Sequence, residues 1–317
     1  MNLRNKDIFT YKPTVIILAI ITAVTWAFAF PLIKIGFELF QIDNSDTGAK
    51  TLFAGVRFFI AGILTFIISK FSKCNYSLGG VKCINLLVWL SLINTTFHYF
   101  FFYIGLSNLS GSRSSIIDSL STFILIILAC IVFKDEHLTK KKIIGCLFGF
   151  LGIFLININF DANSTSAFTL QGDGMLFMSS LCSAVGGILT RIVTKKVNPL
   201  VATAISLTFG GLLLIILGIC MGGKITEINL SGLFILLLLA LVSTVGFSLY
   251  NKLISCNPVG EIAIFNSFIP IFGAILSCII LKEEFYFRYF LAGILVIIGV
   301  FIINKTSKNN SPNLTKQ

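Results

Sequence analysis

The sequence predicts an all-α integral membrane protein, with ten transmembrane helices arranged as two inverted five-helix repeats. Three observations carry that prediction. The first is composition: 56% of the 317 residues are hydrophobic and only 12% are charged, with a mean hydropathy of +0.95. Soluble domains average about 25% charged residues, and 32 phenylalanines are more than one soluble core of this size can hide. The second is that the apolar residues gather into ten runs. Each is long enough to cross a hydrocarbon layer of roughly 30 Å, which takes about 17–25 helical residues. Such runs must be helical, because lipid offers backbone groups no hydrogen-bond partner. The third is an internal repeat.

The runs follow in order. The first, about 14–37, comes after Arg4, Lys6 and Lys12 and contains Trp26 and Pro31. It has no small-x-small cleavage site and reads as an uncleaved first span. The second, 51–70, ends at Lys70, with Arg57 expected near its outer end. The third, 83–106, carries Asn94 and His98. The fourth, 110–133, opens on the polar stretch SGSRSSIIDSLST and closes on FKDEH (133–137). The fifth, 142–158, follows Lys140 and Lys141. The sixth, 172–194, ends near Arg191, and the seventh spans 199–222. The eighth, 231–254, carries Tyr250 and Asn251. The ninth, 259–281, contains Pro270 and closes on LKEEF (281–285), and the tenth spans 288–304. The connections are short, so neighbouring spans pack together and no soluble domain fits between them.

Charge sets the direction. With the N-terminus inside, 17 of the 24 lysines and arginines fall in inner segments, while Asp43, Asp46, Asp161, Asp173 and Glu227 fall outside. Cytoplasmic loops carry such an excess. The expectation is therefore a multi-pass protein of the cell (inner) membrane with two cytoplasmic tails, 1–13 and 305–317. The net charge of +11 is read as this loop bias, and no nucleic-acid partner is expected. Two histidines and eight singly scattered cysteines offer no metal-ligand spacing. The cysteines read as small core residues. No phosphate-binding glycine loop is present, so no cofactor and no enzymatic activity are expected.

The repeat emerges from FKDEH. Residues 122–136, TFILIILACIVFKDE, parallel 270–284, PIFGAILSCIILKEE, at an offset of 148, which pairs Cys130 with Cys278 and Glu136 with Glu284. Just beyond, IIGCLFGFLGIFLIN (143–157) parallels FLAGILVIIGVFIIN (290–304) with a one-residue slip, and Lys34 corresponds to Arg191. The repeats are predicted at 14–158 and 172–304. Five spans is an odd number, so the second repeat enters from the opposite side of the membrane. Transporters use that arrangement to expose a midplane site alternately to the two faces.

WAFAFPLIK (26–34), RFFIAG (57–62), FYIGLSNLSGSRSSI (102–116) and NPVGEIAIFNSFIPIFGAILSCIILKEE (257–284) together resemble the EamA-like transporters of the drug/metabolite transporter superfamily. The resemblance covers roughly residues 14–304, and the 14-residue spacing from Pro270 to Glu284 is its most specific piece. The first half departs from it, with Thr122 where the family often has proline. What the resemblance implies is a ten-helix secondary transporter that exports amino acids, other small metabolites or drugs around a central cavity. Its partners are a small-molecule substrate and the lipid bilayer, with protons as a coupling ion left open. The sequence does not fix an oligomeric state.

The candidate cavity residues are Trp26, Asn94, His98, Asp118, Ser121, Tyr250, Asn266 and Pro270. A charge at the bilayer centre costs about 2.5–3.5 kcal/mol on insertion scales and faces a cavity or a partner. Asp118 shares a helix face with Ser114, Ser121 and Thr122. It either lines a wet cavity, binding a cation or a proton, or pairs with Arg113 and the serines. His98 lies four residues after Asn94, and either meets substrate or makes an interhelical hydrogen bond. Trp26 either stacks on substrate or packs in the core. Asn266 stands where Asp118 does at the 148 offset, and Pro270 frees a backbone carbonyl. Lys34 and Arg57 match the family, which hints at a role, while snorkelling to the headgroups explains both without one.

Two rivals frame the reading. A carrier of anionic sugar or phosphate compounds needs Lys34, Arg57, Arg113 or Arg191 in the cavity, against their expected places near span ends. An intramembrane enzyme acting on lipid precursors needs acids converging at one depth, whereas FKDEH is expected inside and LKEEF outside.

Overall fold

The computed structural model describes residues 8–134, 136–157, 168–284 and 287–307. Asp135, the ends of both predicted tails, and the join between the repeats with Asp161 lie outside the described residues. Helices occupy all ten expected places, and no strand occurs among the described residues. They are α1 (Lys12–Leu39), α2 (Thr47–Phe71), α3 (Val81–Asn108), α4 (Gly111–Val132), α5 (Lys140–Asn157), α6 (Leu170–Thr194), α7 (Pro199–Cys220) and α8 (Leu230–Cys256). Then follow α9, in three pieces (Val259–Ala263, Ile264–Phe268 and Ile269–Leu281), and α10 (Phe287–Ser307). By length and composition, seven of them (α1–α4 and α6–α8) are long and apolar enough to cross a membrane. The others are an α5 that opens on three lysines, the segmented α9, and an α10 with a shorter apolar stretch.

α2 begins earlier than the hydropathy suggests. Asp46 caps it, accepting a hydrogen bond from the Ala49 N–H at 2.7 Å. Its first turn, TGAK, is too polar for an apolar run to reveal. Arg57 therefore lies about 15 Å along the helix, well inside the span. This corrects the expectation of a snorkelling arginine at the span's end.

Four helices are interrupted, each for an identifiable reason. In α1, Pro31 has no N–H to offer the Ala27 carbonyl, and the helix breaks at Phe28. In α3, Ser91–Phe97 form a π-helical turn. Hydroxyls occupy its loosened backbone: Ser91 donates to the Leu87 carbonyl at 2.8 Å, and Thr96 donates to the Gly210 carbonyl at 3.2 Å. In α9, Pro270 leaves the Asn266 carbonyl without its helical donor, and Ile264–Phe268 tighten into a 3₁₀ turn. α4 breaks at Ser119 although Thr122 replaces proline. There Ser115, Ser119 and Ser121 donate to the carbonyls of Ser112, Ile116 and Asp118 at 2.6–2.8 Å, competing with the helical ladder.

The halves meet along glycines. Gly48, Gly55 and Gly62 recur every seventh residue on α2, as do Gly211 and Gly218 on α7. A methyl group added at Gly55 would stand 2.5 Å from the Ile215 nitrogen, and one at Gly211 2.5 Å from the Phe59 nitrogen. Backbone thus lies on backbone, the close approach that small residues permit in membranes. Gly218 belongs to this seam, while Gly222 has left the helix with φ +79°. The eight cysteines are free. Cys83 and Cys146 are buried, but Cys220 and Cys256 are exposed rather than packed in the core.

Candidate functional site

α4 and α9 run antiparallel, the start of each lying beside the end of the other. Gly111, which opens α4, donates its N–H to Glu283, which follows α9, at 2.7 Å. Gly260, at the start of α9, donates to Glu136, which follows α4, at 3.2 and 3.3 Å. Between these contacts both helices are broken, each about a third of the way along from its start, and the breaks carry Asp118 and Asn266. A cavity opens there, walled by α1, α2, α3, α4, α6, α8 and α9.

Seven of the eight predicted residues line this cavity: Trp26, Asn94, His98, Asp118, Ser121, Tyr250 and Asn266. Pro270 is not among its lining residues, and its carbonyl instead accepts a hydrogen bond from the Ser115 hydroxyl at 3.3 Å. Asp118 does not pair with Arg113. That arginine donates through Nε and Nη2 to Oδ1 of Asp173 at 3.1 and 2.7 Å, tying the start of α4 to α6. Oδ1 of Asp118 is buried without a hydrogen-bond partner among the described residues, and so is the indole nitrogen of Trp26. Asn266 donates to the Tyr250 hydroxyl at 3.2 Å.

His98 both lines the cavity and makes an interhelical bond, joining the two alternatives that its sequence position left open. Its Nδ1 lies 3.0 Å from the Ser179 carbonyl. A carbonyl only accepts, so Nδ1 carries the proton and a neutral ring has Nε2 as its acceptor.

Arg57 completes the cavity's charges. It is 2% exposed, and it donates to the Tyr103 hydroxyl through Nη1 at 2.9 Å and to Ser243 and the Leu239 carbonyl through Nε at 2.9 and 3.2 Å. Its guanidinium carbon stands 4.9 Å from the centre of the Phe58 ring. Aromatic rings supply most of the remaining wall: Phe247 and Tyr250 lie 5.3 and 5.0 Å from the Trp26 ring, and Phe30 lies 5.5 Å from Phe102. Arg57, Tyr99, Asn251 and Phe247 also line the cavity; of these the sequence pointed to Arg57 as a rival carrier's requirement and to Asn251 as a weaker pick beside Tyr250. The signal for Arg57 was the span length: the helix starts at Thr47, four residues before the expected 51, and that carries Arg57 inside.

FKDEH and LKEEF also change meaning. Glu136 is 5% exposed, 2.8 Å from Nη1 of Arg191 and 3.6 Å from Nζ of Lys142. In the second half the equivalent acid is Glu283 rather than Glu284, because Lys282 turns into the left-handed region (φ 55°) directly after α9 and shifts the register. Lys34 stands 3.6 Å from Glu283, which replaces the expected headgroup contact.

The model of the EamA-like transporter family matches residues 13–158 and, separately, 170–305. The chain belongs to the EamA-like transporter family. Among its EamA-like relatives is an uncharacterized transporter of Haemophilus influenzae, 28% identical over 292 residues, covering 87% of this chain and 92% of the relative. The uncharacterized transporter YyaM of Bacillus subtilis is 26% identical over 203 residues, 63% of this chain and 66% of its own length. A WAT1-related chloroplastic protein of Arabidopsis thaliana is 21% identical over 228 residues, 69% of this chain and 54% of the relative. One crystal structure superposes over 92% of this chain and 98% of its own, with a TM-score of 0.68 at 13% identity. At that identity the likeness concerns the fold.

Proposed function

We propose that this EamA-like transporter exports a small amino-acid-like metabolite across the cytoplasmic membrane by alternating access, with both termini on the cytoplasmic side. The observation that carries the reading is the unpartnered Asp118 carboxylate in a cavity that also presents Arg57. A free carboxylate at mid-depth is costly in an apolar medium and is offset by a bound cation or a proton. An ammonium group suits Asp118, and the aromatic walls suit an apolar side chain. Arg57 offers a carboxylate its complement, although two of its nitrogens are already engaged. Transport draws on the gradient of the substrate, or of protons where Asp118 carries one.

Arg57 also favours a second reading, in which the cargo is a purely anionic sugar or phosphate compound. The two readings separate by flux. Proteoliposomes are loaded with a panel of amino acids, the matching amines without a carboxylate, the matching acids without an amine, and sugar phosphates. The zwitterion reading expects flux of amino acids alone and a fall of about 10- to 100-fold in Asp118→Asn, the range a hydrogen-bonded charge of about 1.5–3 kcal/mol implies. Undiminished flux in Asp118→Asn, or flux of the phosphates only, overturns it.

A further inference from the structure

Glu283 and Glu136 each accept from the backbone at the opposite helix start and stand beside a cation, exchanged between the halves, with Lys142 a second cation 3.6 Å from Glu136. Glu283, at the end of α9, accepts from the N–H groups of Gly111 and Ser112 at 2.7 and 3.0 Å and from the Ser112 hydroxyl at 2.6 Å. Lys34 of α1 stands beside it at 3.6 Å. Glu136, at the end of α4, accepts from the Gly260 N–H at 3.2 and 3.3 Å. Arg191 of α6, the counterpart of Lys34, stands beside it at 2.8 Å. Each clamp therefore joins a carboxylate from one half to the helix start of the other, with a cation from α1 or from its counterpart α6.

Both helix starts are glycine, and the need for glycine is local. A methyl group at Gly260 would lie 2.7 Å from Oε2 of Glu136, and one at Gly111 2.6 Å from the Ser277 hydroxyl and 3.5 Å from Oε1 of Glu283. The clamps lie at opposite ends of α4. That helix has 22 residues, which at 1.5 Å per residue is about 33 Å and matches a hydrocarbon layer of roughly 30 Å. One clamp closes each face, and the cavity lies between them.

We propose that Glu283 and Glu136 are the two gate carboxylates of the transport cycle, each releasing the opposite helix start to open its own face while the other stays closed. The inference rests on the transport reading above. A carboxylate that only caps a helix stabilises that helix start and nothing 33 Å away. A gate carboxylate shifts an equilibrium of the whole molecule, so loosening one clamp tightens the other.

Hydrogen exchange of the full chain in lipid nanodiscs, read by mass spectrometry without any substrate, distinguishes the two. In Glu283→Gln, peptides covering 109–116 are expected to exchange at least tenfold faster than in the wild type, while those covering 257–263 exchange more slowly. In Glu136→Gln the pattern reverses. Lys34→Gln, which keeps the carboxylate and its backbone donors, is expected to reproduce the Glu283→Gln pattern at smaller amplitude and covers the case of a variant that does not fold. A second arm uses Ser112→Cys, whose sulfur would stand against Cys278, 3.4 Å from the present hydroxyl. Oxidation is expected to slow exchange over 109–116 and speed it over 257–263, reversibly on reduction. Reciprocal changes support the gates. Changes confined to the altered end, or none, overturn them. A flux panel without transport would sink the proposed function instead, because the exchange experiment needs no cargo.

Discussion

Single carboxylates set the chemistry of this molecule, and they fare differently according to their partners. Asp118 has an unpartnered oxygen in the cavity, whereas Glu283 is saturated with donors. Burial alone raises the Glu283 carboxyl, but the Ser112 hydroxyl, the N–H groups of Gly111 and Ser112 and the Lys34 ammonium outweigh it and hold it below the usual glutamate value. A carboxylate held low contributes stability above its unfolded value and loses it as pH falls through the folded value. The protection factors of the amides around Gly111, which take out the pH dependence of intrinsic exchange, are therefore expected to stay flat from neutral pH down to the ordinary glutamate range and to fall only below it. A fall that begins near neutral pH would contradict this. How much of the site was legible at this scale depends on what each residue has beside it in sequence. Asp118, His98 and Asn266 stand out because a polar group in an apolar run is conspicuous. Arg57 and Glu283 were misread because their places depend on a helix cap at Asp46 and a left-handed turn at Lys282, neither of which has a hydropathy signature.

Among the elements, the position of each helix followed from apolar run length, but its interruptions did not. Pro31 and Pro270 announce their breaks. The break at Ser119 comes from serine hydroxyls bonding three residues back, in a helix that has no proline. The π turn of α3 depends on tertiary contacts with α7, such as Thr95 to Ser206 at 3.1 Å. The glycine seam between α2 and α7 is the firmest joint between the halves, and it makes a direct prediction. Gly55→Ala, whose new methyl would meet the backbone of Ile215, is expected to cost about 1–3 kcal/mol. Its thermal midpoint in detergent should fall by several degrees. Gly293→Ala, where nothing among the described residues lies within 4 Å of the added methyl, should leave the midpoint unchanged or raise it. Equal midpoints for the two variants would show that the seam carries no special strain.

For the whole molecule, the antiparallel pairing of α4 with α9 follows from the odd number of spans per repeat, and it fixes what a sidedness experiment must find. Cysteines introduced beside Glu136 and beside Glu284, in a background freed of the eight native ones, should react with an impermeant maleimide from opposite faces of the membrane. The Glu136 side should be the cytoplasmic one. Labelling of both from one side would overturn the inverted arrangement and the proposed orientation together. The exchanged clamps carry a last consequence, which concerns ancestry and assembly. Each half holds the latch of one door and the strike plate of the other, so a half on its own would display an acid with nothing to grip and a bare helix start with nothing to grip it. Two identical halves placed head to tail would satisfy both needs at once. The fused chain thus preserves the logic of a symmetrical pair, while freeing Lys34 and Arg191, or Asp118 and Asn266, to diverge and make its two faces unequal.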